Sequence, residues 1–349
     1  MAPPKRAVTL RVERVEPRRL MALVGSVSPP SPTLVSRPAP ADDPGAVSGV
    51  TDPSLIKQGG TYYLFSSGTG IEIRASNDLT HWSKIGQVFV ALPDWARAKV
   101  AGATGIWAPD ISFFNGAYHV YYAVSTFGSQ RSVIGLATNT TLDPSQPGYR
   151  WVDRGEVIES RPGRDNFNAI DPNVVVDGGG SGNVWLAFGS QWSGIKLLRL
   201  DPSTGMAVQG RGPRSGRPVA LASRRSAGPI EAPFVYQKGG FYYLFASFDR
   251  CCQGAASSYR IMVGRSSSVT GPYTDRAGRP MTRGGGTLVL AGAGRFRGPG
   301  SSAVLSDGGR DVLVYQAYDA SNGGTPTLQV RRLSWSPDGW PIAGDPLFS

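Results

Sequence analysis

One unit, repeated five times, constrains this chain more than any other feature. Each copy is an apolar stretch, a tight turn and an aromatic-rich stretch. Residues 52–68 read DPSLIKQGGTYYLFSSG and residues 231–247 read EAPFVYQKGGFYYLFAS. A third copy, WAPDISFFNGAYHVYYA, spans 107–123 with Asn115-Gly116 as its turn. A fourth, DPNVVVDGGGSGNVWLAFGS, spans 171–190, and a fifth, GSSAVLSDGGRDVLVYQAYD, spans 300–319. Short apolar runs around Gly-Gly or Asn-Gly are hairpin signals. Each copy continues into further strand-like segments, such as IEIRASND at 71–78 and YRIMVGRS at 259–266. Matching the copies places Asp52, Trp107, Asp171, Glu231 and Gly300 at equivalent positions, spaced 55, 64, 60 and 69 residues apart. That spacing suits a four-stranded sheet with its loops, and no long segment carries a helical period of 3.6. The sequence therefore predicts an all-β, five-bladed β-propeller over residues 50–349. The first strand of each propeller blade lines the central channel, so the aligned residues are expected to meet at one end of the axis.

Composition narrows the chemistry. The 349 residues include only two histidines, His81 and His119, which nearly excludes a multi-histidine metal site and leaves a Ser-His-Asp triad little to use. The two cysteines are adjacent, Cys251 and Cys252. Neighbouring Cα atoms lie about 3.8 Å apart, below the usual disulfide range of roughly 4.4–6.8 Å, so the pair fits either packed thiols or a strained vicinal disulfide. The formal charge is +11, and seven Lys or Arg fall in the first 40 residues against Glu13 and Glu16. No basic cluster interleaved with aromatics accompanies them, so no nucleic-acid partner is expected. No apolar run approaches a membrane span. Residues 1–49 read as a leader and linker: a short apolar run after Arg18-Arg19 resembles a weak signal-peptide core, and residues 25–49 are rich in Pro, Ser and Ala. The expected protein is a monomer, secreted if its substrate is a polymer, with a cytoplasmic role left open.

Chemistry must then rest on carboxylates. Asp52, Asp171 and Glu231 on one ring would suit an inverting glycosidase, which sets a general acid and a general base roughly 6.5–9.5 Å apart around a water. The third acid would raise the pKa of the proton donor through like-charge repulsion. Trp107 offers a flat face for sugar stacking, or simple core packing. The same acids also fit a plainer role as caps ahead of the inner strands.

The residues now reached resemble glycoside hydrolase family 43, in its arabinanase branch. The matching strings include DPSLIK (52–57), IWAPDI (106–111), NFNAIDPNVVVD (166–177), GPIEAPFV (228–235), FASFDRCCQG (245–254) and AYDASNGGTPTLQVRRLSWSPDGWP (317–341). The resemblance covers about residues 50–341. It implies arabinan or arabino-oligosaccharides as substrate, with Asp52 as general base, Glu231 as general acid and Asp171 tuning the acid. It also implies that Trp107, Asn168 and Ser190 contact substrate. A non-catalytic glycan-binding propeller and an exo-acting arabinofuranosidase or xylosidase are the alternatives. The chain departs from the family pattern at three positions where histidine is usual: Thr51, Ser301-Ser302 and Gln316. Thr51 and Gln316 are expected to keep hydrogen-bonding contacts in the groove. The resemblance implies a structural Ca²⁺ in the channel and no cofactor in the chemistry; Gln316 retains a carbonyl oxygen suited to a hard cation.

Overall fold

The computed structural model describes residues 47–177, 182–208, 217–224 and 227–347. Most of the expected leader, residues 1–46, lies outside the described residues, as does the Gly-rich turn of the fourth repeat at 178–181. Among the described residues no helix is long and apolar enough to cross a membrane.

Five four-stranded antiparallel sheets follow one another along the chain, each a simple meander. The first comprises β1 (Ser54–Gln58), β2 (Thr61–Ser66), β3 (Glu72–Ser76) and β4 (Ser83–Gln87). A six-residue helix, α1 (Asp94–Lys99), leads to the second: β5 (Trp107–Phe114), β6 (Ala117–Val124), β7 (Ser132–Asn139) and β8 (Val152–Ser160). The third holds β9 (Asn173–Asp177), β10 (Asn183–Phe188), β11 (Ile195–Leu200) and β12 (Val219–Ala222). The fourth holds β13 (Ile230–Lys238), β14 (Phe241–Phe248), β15 (Arg260–Ser266) and β16 (Thr287–Ala291). The fifth holds β17 (Phe296–Asp307), β18 (Arg310–Asp319), β19 (Thr325–Trp335) and β20 (Pro341–Pro346). Each sheet's first strand touches the first strand of the next, and β17 returns to β1, so the sheets close a ring as blades of a propeller.

The second strand of each blade explains the aromatic half of the repeat. Successive side chains on a strand face opposite ways, and here both faces are buried. Leu64 packs between blades five and one, while its neighbour Phe65 packs between one and two. Tyr122 and Tyr121 divide in the same way between the cores on either side of blade two, as do Leu244 and Phe245 around blade four. A near-continuous apolar run is the sequence mark of such a strand. The ring is closed by residues 47–49. Ser48 bridges to Thr327, the Gly49 N–H donates to the Pro326 carbonyl at 2.8 Å, and the Leu328 N–H donates to the Val47 carbonyl at 2.9 Å. The closing segment thus begins ahead of residue 50.

Polar contacts join the inner strands near the axis. The buried Asp110 carboxylate accepts from Ser54 Oγ (3.3 Å), Asn173 Nδ2 (3.1 Å) and the Val174 N–H (2.8 Å), joining blades one, two and three. Asn173 Oδ1 in turn accepts the Val235 N–H of blade four at 2.8 Å. Removing Asp110 would orphan three buried donors. Asp110→Ala is expected to lower stability by about 2–4 kcal/mol, read from the midpoint of urea unfolding. A change below about 0.5 kcal/mol would mean that the donors find other partners.

Candidate active site

At one end of the axis each inner strand carries a residue with positive φ, just ahead of β1 and β9 and at a register shift within β5, β13 and β17. The five are Asp52 (52°), Ala108 (43°), Asp171 (56°), Ala232 (50°) and Ser301 (47°). Proline follows the first four. This corrects the alignment of Asp52, Trp107, Asp171, Glu231 and Gly300. The true equivalents of Asp52 and Asp171 are Ala108, Ala232 and Ser301. Trp107, Glu231 and Gly300 stand one residue earlier, each opposite a residue of its blade's second strand: Ala123, Ser247 and Gln316. Thr51 and Ile170 hold that earlier position in blades one and three, where their carbonyls accept the Ser67 and Gly189 N–H groups. The X-Pro dipeptide was the available signal, because proline is confined to strand starts and edges.

Positive φ is strained for any residue but glycine, and the neighbouring blade supplies a hold at four of the five positions. Ser67 Oγ accepts the Ala108 N–H at 2.8 Å, and Ser247 Oγ accepts the Ser301 N–H at 2.9 Å. Asp171 Oδ2 accepts the Ala232 N–H at 3.0 Å. Gln316 Oε1 accepts the Asp52 N–H at 2.6 Å, stitching blade five to blade one.

A cleft of about 900 Å³ opens over this end of the axis. Asp52, Asp171 and Glu231 all line it, as do Thr51, Trp107, Asn168, Ser190 and Gln316. Every residue expected at the site is therefore brought to one cavity. Asp52 accepts hydrogen bonds on both oxygens, from Ser67 Oγ (2.5 Å) and Ser301 Oγ (2.8 Å). Glu231 also accepts on both, from Ser190 Oγ (2.6 Å) and Tyr259 Oη. Burial pushes the Glu231 carboxyl up to about 7, the Asp52 charge adds to the rise, and the Ser190 hydrogen bond opposes it. Burial, then the charges of Glu231 and Asp52, hold the Asp171 carboxyl well above the ordinary carboxylate range. Asn168 is buried, and its Oδ1 accepts from Ser132 Oγ at 2.7 Å.

Ser67 and Tyr259 were not picked out by sequence reasoning, and nothing in their local sequence marks them. Ser301 drew notice only as a lost histidine; here its hydroxyl holds Asp52. Cys251 and Cys252 form a vicinal disulfide on the cleft wall, which decides the alternative the sequence left open. The Cys252 N–H donates to Tyr318 Oη at 3.0 Å, and Gln316 Nε2 donates to the same oxygen at 3.3 Å. Exposed aromatic faces stand at the rim, with Phe127 83% and Trp192 42% accessible.

Gln316 is the residue that the sequence offers to a channel cation. Calcium takes six to eight oxygen ligands. The Gln316 carbonyl oxygen already accepts the Asp52 N–H. Among the described residues, no group of three or more His, Cys, Asp or Glu side chains is arranged to hold a metal ion.

Comparison with known proteins agrees with this geometry. Residues 46–341 match the family described as Glycosyl hydrolases family 43. An extracellular exo-α-(1→5)-L-arabinofuranosidase of Cellvibrio japonicus is 41% identical over 301 residues, covering 84% of this chain and 85% of that protein. An extracellular endo-α-(1→5)-L-arabinanase of Bacillus subtilis is also 41% identical, over 296 residues, covering 83% of this chain and 86% of that one. The structure of a Cellvibrio cellulosa α-L-arabinanase complexed with arabinohexaose superposes with a TM-score of 0.80 at 39% identity, covering 85% of this chain and 96% of that chain. With a matching family over nearly all its described residues, five blades and an acidic cleft on the axis, this chain belongs to glycosyl hydrolase family 43 and is a glycoside hydrolase.

Proposed function

We propose that this protein hydrolyses 1,5-α-L-arabinan or its oligosaccharides with inversion, using Glu231 as general acid and Asp52 as general base. The observation that carries the reading is the Glu231 carboxyl. Half-buried in a cleft with two other acids, hydrogen-bonded on both oxygens and pushed up to about 7, it keeps its proton where an ordinary carboxyl would have lost it. A general acid works best with a pKa near the operating pH. Glu231 gives its proton to the departing glycosidic oxygen. A water attacks the anomeric carbon from the opposite face, and Asp52 takes the proton that this water loses. The Ser67 and Ser301 hydroxyls fix the Asp52 carboxylate while leaving lone pairs for the water. Asp171 accepts the Ala232 N–H beside the acid, so it orients the strand that carries Glu231. Trp107, Asn168, Ser190 and Thr51 serve as groove contacts, with Trp107 presenting a face for sugar stacking.

Arabinan as substrate rests on the two relatives at equal identity, one named exo and one named endo. Those names also support secretion, since both are called extracellular. The chain acts as a monomer in this reading, because one cleft holds every residue that the chemistry uses.

Incubating the protein with linear 1,5-α-arabinan tests the substrate. Mixed short oligomers would mark endo action and arabinose alone exo action. Binding without turnover above a Glu231→Ala control would instead make it a glycan-binding propeller. Glu231→Gln is expected to lower kcat by about 10²–10⁴-fold, and the first-formed product should be the β-anomer by proton NMR; an α-anomer would overturn inversion. The pH dependence has a definite sign. The acid is competent when protonated, so kcat/KM should fall as pH rises through about 7. A profile flat to about two units above that value would remove Glu231 from the acid's role.

A further inference from the structure

The fifth blade differs from the others at the position just before the positive-φ residue. Thr51, Trp107, Ile170 and Glu231 occupy it in blades one to four, and Gly300 occupies it in blade five. The space a side chain would take is filled by Tyr259. A Cβ built on Gly300 would lie 2.2 Å from Tyr259 Cδ2, 2.7 Å from Cε2 and 2.9 Å from Cγ. Two residues earlier, a Cβ on Gly298 would lie 2.6 Å from Ser257 Cβ, and φ at Gly298 is +54°. The segment entering β15 thus beds into β17 along two bare glycines. A glycine inside a strand often marks such close approach. The ring is almost wholly buried, with Tyr259 3% exposed, and its hydroxyl reaches the Glu231 Oε1.

We infer that Tyr259, seated by the Gly298 and Gly300 notches, is the positioning residue of the proton donor. It fixes the Glu231 carboxyl against the Ser190 hydroxyl on the other oxygen and stabilises the carboxylate left after proton transfer. Each carboxyl oxygen has two lone-pair sites. One can accept the Tyr259 O–H while the group still carries its own proton toward the substrate. On proton transfer Glu231 becomes an anion, and hydrogen bonds to an ionised group are the strong ones. The contact therefore strengthens as the reaction proceeds, which is the condition for accelerating it. The inference rests on Glu231 being the general acid.

The test uses Tyr259→Phe and Gly300→Ala in the full chain, with circular dichroism as a folding check. Tyr259→Phe is expected to slow cleavage of unactivated arabino-oligosaccharides by about 10- to 100-fold, the worth of a hydrogen bond to a charged group. Dinitrophenyl arabino-oligosaccharides, whose leaving group departs without a proton, should be cleaved at close to the normal rate. Gly300→Ala, which displaces the ring but keeps the phenol, should show the same selective loss and gives the same comparison should Tyr259→Phe not fold. Losing the donor should also raise the Glu231 titration midpoint, seen by ¹³C NMR of glutamate-labelled protein with Glu231→Gln to assign the signal. Equal losses on both substrates, or an unmoved midpoint, would overturn the inference. A wild-type protein inactive on every arabinoside would defeat the hydrolase reading instead, and the NMR titration would still judge the Tyr259 contact.

Discussion

The structure depends on how five inner strands begin at a common axis. Each carries, at that end, a residue with positive φ, a conformation that costs energy for aspartate, alanine or serine. At four of these positions the cost is offset by a hydrogen bond to the backbone N–H from the preceding blade: Ser67 for Ala108, Asp171 for Ala232, Ser247 for Ser301 and Gln316 for Asp52. The blades therefore hold one another's strand entries. That arrangement turns residues far apart in sequence into neighbours around one cleft, and it gives the fold a reason to place polar side chains at the end of an otherwise apolar ring.

The chemistry follows from gathering three half-buried carboxyls at that end of the ring. Burial disfavours charge, and like charges disfavour it further. Asp171 and Glu231 respond by titrating high, while Asp52 is held between two hydroxyls. The absent histidines fit the same picture. Ser301 meets the Asp52 carboxylate directly, and Gln316 holds its backbone. Both hold Asp52 in place by hydrogen bonds alone.

Much of this was legible in the sequence, and for identifiable reasons. Gly-Gly and Asn-Gly turns between apolar runs reported the hairpins, and the doubly buried second strands appeared as YYLF-type runs. The three acids were legible because they lie beside those repeats. The one-residue offset of Trp107, Glu231 and Gly300 is hidden when whole copies are matched to one another. Their shared X-Pro entries would have placed Ala108 and Ala232 beside Asp52 and Asp171. Tyr259 was hidden for a different reason. Its partner lies in another strand, and only the bare Gly300 in a strand interior hints that something approaches there. The Cys251–Cys252 bond was beyond reach, since sequence fixes the separation of adjacent cysteines but not their oxidation.

Inner strands of separate blades bring Asp52 and Glu231 into one electrostatic site. Titrating Glu231 by ¹³C NMR in Asp52→Asn tests it most directly. Removing the Asp52 charge removes one cause of the raised Glu231 pKa, so the midpoint should fall below that of the wild-type protein. A midpoint that stays in place or rises would contradict the account.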